Sequence, residues 1–318
     1  MGWRVDESCG NALGAAMGLH PSIAPVLAGD GGRVFGPGPA ELLERTRGTG
    51  SLHAAASEMG MAYSKAIRII RTAEAALGYR LLERRIGGAA GGGSALTFGA
   101  ELLAARYHAW RMACEASAAD LFARHFSRIG CVVMASGDAV RFGSNKLLAP
   151  FAGSTVLEHT LAVLSDELLD VRVVTRSRET AAVAEGCGVA AVLHGGSFQS
   201  DTIRAGLAAL PDAPACMFVP GDQPLLSAAS VRALVLAQAR QAESIIRLSF
   251  GGSPGSPIVF PRSCFPALAA LEGDAGGSEL LRTRPDLAAR VMLIEAARAC
   301  ELTDIDTPAE LEQLEQFA

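Results

Sequence analysis

Ile129-Gly130-Cys131-Val132-Val133-Met134-Ala135-Ser136-Gly137-Asp138-Ala139-Val140-Arg141-Phe142-Gly143-Ser144-Asn145-Lys146 is the stretch on which the reading of this chain turns. Its first seven residues are an unbroken apolar run of strand length, and a strand apolar at successive positions must be covered on both faces. The run breaks into a glycine-bearing turn. Such a turn directly after a first strand lets backbone N–H groups approach phosphate oxygens closely. Arg141 and Lys146 place positive charge where those oxygens would lie. The spacing is not that of a P-loop, because G-x-x-x-x-G-K-[ST] is absent.

Outward from this stretch the same rhythm continues to the C-terminus. Apolar runs at 171–175, 189–193, 215–220, 244–248 and 291–294 read as further strands. Helical stretches at 156–164, 202–210 and 228–237 lie between them. Strands alternating with helices predict an α/β domain with a parallel sheet, which binds its ligands at the carboxyl ends of the strands. Two acidic motifs fall at such ends. Asp222, in Phe218-Val219-Pro220-Gly221-Asp222-Gln223-Pro224, follows an apolar strand and is placed to hold Mg²⁺ against a triphosphate; its plainer reading is a turn former before proline. In Leu302-Thr303-Asp304-Ile305-Asp306-Thr307-Pro308-Ala309-Glu310, Thr307 and Glu310 form a capping box and Pro308 suits a first helical position. Asp304 and Asp306 are left over on an extended segment as candidates for a second metal ligand.

These motifs together resemble the MobA-like NTP-transferase family, and within it the molybdenum-cofactor cytidylyltransferase branch. Members begin with L-A-A-G-x-S-x-R-[MF]-G-x-x-K. Gly137, Arg141, Phe142, Gly143 and Lys146 match it; Asp222-Gln223-Pro224 matches the metal-binding D-Q-P. Ser200 to Leu207 resembles a helix start S-x-x-x-G-L, and Gly255-Ser256-Pro257, 271–277 and 304–308 match later segments in order. The chain departs from the pattern at Ala139, where the family has serine, at Asp138, which adds a negative charge, and at Ser136, which replaces a small apolar residue. The resemblance implies a three-layer α/β/α, Rossmann-like nucleotidyltransferase domain over 127–318. It implies transfer of a nucleoside monophosphate, CMP or GMP with CTP favoured, to the terminal phosphate of molybdopterin, with release of pyrophosphate. Arg141, Lys146 and Asp222 would be catalytic. Ala135, Ser136, Gly137, Arg141, Gly143, Lys146, Ser200 and Asp222 would bind the nucleotide, and Asp222 with Asp306 would hold Mg²⁺. The acceptor phosphate is already anionic, so no general base is needed; His159 and His194 read as packing or surface residues.

Residues 24–126 read differently. Pro39 opens a helical pattern over 40–46, Ser51 caps the next helix through Met59, and Gly60 separates it from a third over 62–76. The glycine-rich stretch 87–93 closes at Leu96-Thr97, and a long helix runs from about Gly99. Helix, turn, helix, wing and long helix is the order of a mainly α winged helix-turn-helix domain. The segment resembles the DNA-binding domain of molybdate-responsive (ModE-type) and LysR-type regulators, carried by Gly50 to Ala56, Met61 to Ala66 and the glycine-rich wing. That resemblance implies DNA contact by Tyr63, Ser64, Lys65 and Arg68. Leu103, Tyr107 and Trp110, at helical spacing, read as a homodimer seam or core. The alternative for the segment is a dimerisation module without DNA binding.

Charge follows the same division. Residues 1–128 carry a net charge of +3 and the remainder −8, so only the first part suits a polyanion. Residues 1–23 carry no pattern and read as an extension. No apolar run is long enough to span a membrane, no basic n-region precedes an apolar core, and seven scattered cysteines without a C-x-x-C pair suit a reducing cytoplasm. A regulator that uses an inactive transferase fold as its ligand sensor is the competing reading; sugar or other small-molecule nucleotidyl transfer is the weaker third.

Overall fold

The computed structural model describes residues 19–85, 93–137, 142–164 and 169–318. Residues 1–18, most of the glycine-rich wing including Ala89 and Ala90, and Asp138 to Arg141 with Ala139 lie outside the described residues. The chain forms two compact units, one of His20–Phe122 and one chiefly of Ala123–Ala318. Among the described residues no helix is long and apolar enough to cross a membrane.

The first unit begins with a hairpin of β1 (Leu27–Gly29) and β2 (Gly32–Phe35). Helices α1 (Pro37–Thr49), α2 (Leu52–Glu58) and α3 (Tyr63–Leu77) follow, then the antiparallel pair β3 (Leu82–Arg85) and β4 (Gly93–Leu96), and the long helix α4 (Phe98–Phe126). The hairpin was not legible in the sequence, since two strands of three and four residues carry too little period-2 pattern to stand out. Pro37 and Pro39 both fall in the first turn of α1, where an amide hydrogen has no helical partner to lose. Ser51 accepts from the Ala54 amide to cap α2, as its position foretold. Gly50 and Gly78 end α1 and α3 in the left-handed conformation at φ 69° and 77°. The Glu74 carboxylate accepts from the Leu81 amide at 2.7 Å, which ties the start of the wing to the end of α3. Phe35, Leu42, Leu52, Ile70, Leu81 and Tyr107 make the core.

Leu103 and Tyr107 face that core, and Trp110 stacks edge-on to Tyr107 at 5.9 Å. A different stripe of α4 is exposed: Phe98 (82%), Leu102, Ala105, Ala109, Met112 (50%) and Ala116. Their spacing of four and three residues in alternation is that of a coiled-coil seam. Helix α4 is thus apolar on two sides, one of which its own unit covers.

The second unit is a three-layer α/β domain. Strand β5 (Ile129–Ala135) is an interior strand of its sheet. Its odd-numbered residues Cys131 and Val133 pack into one cluster and its even-numbered Val132 into another. Beyond it come the short pair β6 (Pro150–Phe151) and β7 (Ser154–Thr155), α5 (Val156–Ala162), β8 (Leu169–Thr175), α6 (Arg178–Gly186), β9 (Ala190–Leu193), α7 (Gln199–Ala208), β10 (Ala215–Pro220), α8 (Ala228–Arg240), β11 (Ile245–Phe250), β12 (Ser253–Pro261), α9 (Phe265–Ala269), α10 (Gly277–Thr283), α11 (Pro285–Ala288), β13 (Val291–Glu295) and α12 (Pro308–Leu314). The central sheet has the order β13-β11-β12-β10-β5-β8-β9. Leu157, Leu161, Ala184 and Leu234 of α5, α6 and α8 cover one face; Ile203, Leu207, Leu268, Leu280 and Leu287 of α7, α9, α10 and α11 cover the other.

The sheet is mixed, not wholly parallel as the strand–helix alternation suggested. Strand β12 runs antiparallel to both β10 and β11. Its prolines at 254, 257 and 261 read against a central strand. The register explains why they are tolerated: pairing with β10 spans only Ile258 to Pro261, and pairing with β11 shifts between Arg247 and Ser249, opposite the stretch that holds Pro257. The Arg247 guanidinium donates to the Gly255 carbonyl beside this irregularity at 2.7 Å.

Two positions test this packing. A Cβ at Gly206 of α7 would lie 2.5 Å from a Val132 methyl, so glycine is what lets the helix sit on β5. Gly206→Ala is expected to lose about 1–3 kcal/mol in urea unfolding. Glu301 is fully buried and accepts from the Ser227 amide at 3.1 Å, the Ser230 hydroxyl at 2.6 Å and the Arg298 amide at 3.2 Å. Burial pushes its carboxyl up, but these hydrogen bonds outweigh burial and hold it below the ordinary value of 4.5. Its contribution is therefore present above pH 4.5 and lost as pH falls through the folded-state value. Glu301→Ala should cost about 1–3 kcal/mol at neutral pH by leaving buried donors unpaired, and the deficit should shrink on acidification. An equal deficit at pH 7 and pH 3 would contradict this account.

Candidate functional site

The carboxyl ends of β5, β8 and β10 open onto a cavity of about 660 Å³. Ser136 and Gly137 follow β5, Arg176 follows β8, and Pro220 and Asp222 close β10. Gln199, Thr202 and Ile203 come from the first turns of α7, and Phe218 and Phe260, edge-on at 6.0 Å, supply apolar wall. A second recess of about 460 Å³ shares Ser136, Gly137 and Arg176 and adds Ala135, Gly143, Ser144 and Asn145. Gly143 sits at φ 76°, a conformation that favours glycine.

Three segments distant in sequence bring charge to this edge. Asn145 caps the short turn at Lys146–Leu148 by accepting from the Leu147 amide, and its amide group donates to Thr180 of α6 at 2.8 Å. The turn so fixed delivers the Lys146 ammonium to Asp222 at 2.5 Å and to Asp306 at 3.0 Å. The Ile305 amide donates to the Asp222 carbonyl at 3.1 Å, and the Gln223 amide group donates to Asp304 Oδ1 at 2.8 Å. Asp222 and Lys146 are 15% exposed, Asp306 51%. Burial works against the Lys146 charge, yet the carboxylates of Asp222 and Asp306 outweigh it and hold the ammonium above its ordinary value. Burial, reinforced by the Asp222 charge, pushes Asp304 up to about 6 despite the Gln223 hydrogen bond and the nearby Lys146.

Of the two leftover acids, Asp304 lines the cavity beside Asp222, whereas Asp306 reaches the cluster through Lys146. Among the described residues no three acidic, histidine or cysteine side chains converge as a ready-made metal cage. The donor set nonetheless fits a hard cation of the Mg²⁺ kind, which takes one or two carboxylates and completes its shell with substrate phosphates and water. The Gln223 Oε1 is buried without a partner among the described residues, leaving a further oxygen donor beside Asp304.

Ser136 is held from two sides. Its hydroxyl lies 3.1 Å from the Val174 carbonyl and 2.7 Å from His194 Nε2, while its own carbonyl accepts from the Arg176 guanidinium at 2.7 and 3.0 Å. With the hydroxyl donating to Val174, Nε2 of a neutral His194 donates to Ser136. Burial, aided by the Arg176 charge, lowers the His194 pKa and keeps it neutral. His194 and Arg176 were not singled out as site residues in the sequence. The available signal was position, because each stands one residue beyond a strand, β9 and β8 respectively. Ser200 is fully buried, its Oγ unpartnered among the described residues, and its neighbours Gln199 and Thr202 line the cavity instead. Arg141 lies outside the described residues.

In the first unit, Tyr63, Ser64, Lys65 and Arg68 are all exposed on α3. The face that α3 buries carries Ala66, Ile70 and Ala73, which leaves the polar side free. The Tyr63 ring rests 5.4 Å from His53 of α2.

Comparison with known proteins agrees with both units. Residues 40–97 match the model of the bacterial regulatory helix-turn-helix proteins of the lysR family. The purine catabolism protein PucB of Bacillus subtilis is 31% identical over 200 residues, covering 58% of this chain and 94% of PucB. The 2-C-methyl-D-erythritol 4-phosphate cytidylyltransferase of Dehalococcoides mccartyi is 32% identical over 113 residues, half of its own length. Among solved structures, Rv0371c of Mycobacterium tuberculosis H37Rv superimposes with a TM-score of 0.50 at 25% identity, covering 59% of this chain and 98% of that one. Its homologue from Mycobacterium sp. strain JC1 gives 0.50 at 26%, covering 61% and 96%. Residues 131–289, which hold the strand ends and Asp222 just described, match the model of the MobA-like NTP transferase domain, and the chain belongs to that family.

Proposed function

We propose that the second unit transfers a nucleoside monophosphate, CMP in preference to GMP, from an NTP to the terminal phosphate of molybdopterin, and that the first unit binds DNA as a homodimer. The observation that carries the enzymatic reading is the pairing of Lys146 with Asp222 at the mouth of a cavity entered by the strand-end glycine turn. Similarity to a cytidylyltransferase that acts on a phosphorylated acceptor supports CTP and a phosphate nucleophile. An oxygen of the acceptor phosphate attacks the α-phosphorus of the NTP, a new P–O bond forms, and the bond to the β-phosphate bridging oxygen breaks with its electron pair leaving on pyrophosphate. No proton need move, which suits a site where burial favours the neutral form of His194 beside Ser136.

Positioning and charge neutralisation then supply the catalysis. Bound Mg²⁺ would neutralise phosphate charge; Asp222 and Asp304 are the residues that would hold it, with Asp306 the further carboxylate of the cluster. Lys146 turns from its carboxylate partners to the phosphate oxygens. The backbone at Ser136, Gly137 and Gly143, with Arg141, cradles the triphosphate. Use of NTP and DNA as ligands supports a cytoplasmic location. The lysR-type match favours a regulatory role for the first unit, and a transferase unit that binds nucleotide without turnover would make the whole chain a sensor.

The test is pyrophosphate release with Mg²⁺, each NTP in turn and molybdopterin. Asp222→Asn is expected to lower turnover about 10²–10³-fold, and added Mg²⁺ should restore little of it. Lys146→Ala should weaken NTP binding and turnover together. Nucleotide binding by calorimetry without pyrophosphate release from any pair would leave the sensor reading standing; neither binding nor release would remove both. Gln223→Ala, which frees Asp304, is expected to weaken Mg·NTP binding about tenfold while leaving metal-free nucleotide binding in place. Equal loss with and without metal would refute that role.

The exposed stripe of α4 is the proposed homodimer seam, because paired half-sites on DNA call for two-fold symmetry and the stripe has coiled-coil spacing. Light scattering at micromolar concentration should give twice the monomer mass, and Ala109→Glu should give the monomer mass. A monomeric parent protein would overturn the dimer.

A further inference from the structure

Between the β1–β2 hairpin, the start of α1 and the outer side of α3 lies a groove of about 260 Å³. Two arginines line it, Arg33 from β2 and Arg68 from α3, together with Thr72 and the backbone of Gly36 and Gly38. Among the described residues no carboxylate lines it. Arg68 belongs to the helix that the DNA reading places in a major groove, while Arg33 lies before residue 40, where the helix-turn-helix match begins.

Three arginines of this unit are neutralised by carboxylates. Arg45 is bound by Glu41 and Glu58, Arg47 by Glu101, and Arg111 faces Glu115. The side chains of Arg33, Lys65, Arg68 and Arg71, like those of Arg80, Arg84 and Arg106, have no ion-pair or hydrogen-bond partner among the described residues, and all are exposed. On α3, residues 65, 68, 71 and 72 fall within about a third of the helix circumference, so the cations form one stripe. The groove continues that stripe off the helix and onto the hairpin.

We infer that Arg33 and Arg68 clamp a phosphate of duplex DNA in this groove, and that the β1–β2 hairpin is a backbone-contacting element of the DNA-binding surface. A guanidinium presents a planar fork of donors that fits phosphate oxygens, and two from different elements fix the register of the duplex against α3. Arg33, lying off the recognition helix, contributes affinity and no base discrimination. The inference rests on the reading of the first unit as a DNA-binding domain.

The experiment measures binding of the full chain to a fluorescein-labelled random-sequence duplex by anisotropy across a KCl series. Arg33→Gln should make the log–log salt slope shallower by about 0.9 for each protomer bound, and Arg33→Lys should restore it. Circular dichroism of Arg33→Gln should match that of the parent, which separates lost contact from lost folding. Lys65→Ala with Arg68→Ala should reduce binding far more. A slope unchanged in Arg33→Gln, with binding lost in the double variant, would overturn the clamp and leave the DNA-binding reading intact. No binding by the parent protein would overturn both.

Discussion

Burial of β5 on both faces is the constraint on which the second unit depends. Cys131 and Val133 on one side and Val132 on the other are all fully buried, so helices must lie above and below the strand. Covering both faces of a strand that has parallel neighbours β8 and β10 takes crossover helices, and such crossovers bring the carboxyl ends of those strands to one edge. The cavity, the glycine turn, Arg176 and Asp222 are there for that reason. Gly206 contributes by its lack of a side chain, which brings α7 down onto β5 and with it Thr202 to the cavity wall.

That edge concentrates charge that the rest of the interior cannot carry. Lys146, Asp222, Asp304 and Asp306 come from three segments, and Asp304, desolvated at the cavity and beside the Asp222 charge, holds its proton more tightly. Lys146 offsets part of the negative charge in the free protein. In the proposed complex a divalent cation would be held by the carboxylates, and Lys146 would turn to phosphate oxygens. Such a mixed set of charges is the kind that suits a ligand both anionic and metal-bound, as the proposed Mg·NTP would be.

The first unit spends its structure on presenting one side of α3. Glu74 pins the wing to the end of that helix, Ser51 and the left-handed glycines fix the turns between α1, α2 and α3, and carboxylates neutralise Arg45 and Arg47 elsewhere. The remaining cations are left facing outward. Helix α4 gives one apolar side to the core through Leu103 and Tyr107 and leaves the other uncovered.

The sequence alone determined the elements that local chemistry specifies: the apolar runs of the parallel strands, the caps at Ser51 and Thr307, the glycine turns, and Lys146 and Asp222 at strand ends. Each of these is written within a few consecutive residues, where period, cap or turn type is local. What only the tertiary structure decided is everything that requires residues far apart to meet. The antiparallel insertion of β12 depends on a register that tolerates its prolines. The preference for Asp304 over Asp306 at the cavity depends on Gln223, 81 positions away, and the fixing of Ser136 depends on His194, 58 positions away. Of the two readings open in sequence for Leu103 and Tyr107, seam or core, packing selects the core and leaves the Phe98 to Ala116 stripe of α4 exposed. Periodicity shows that a face is apolar; only packing shows what covers it, because burial is a property of the neighbours and not of the segment.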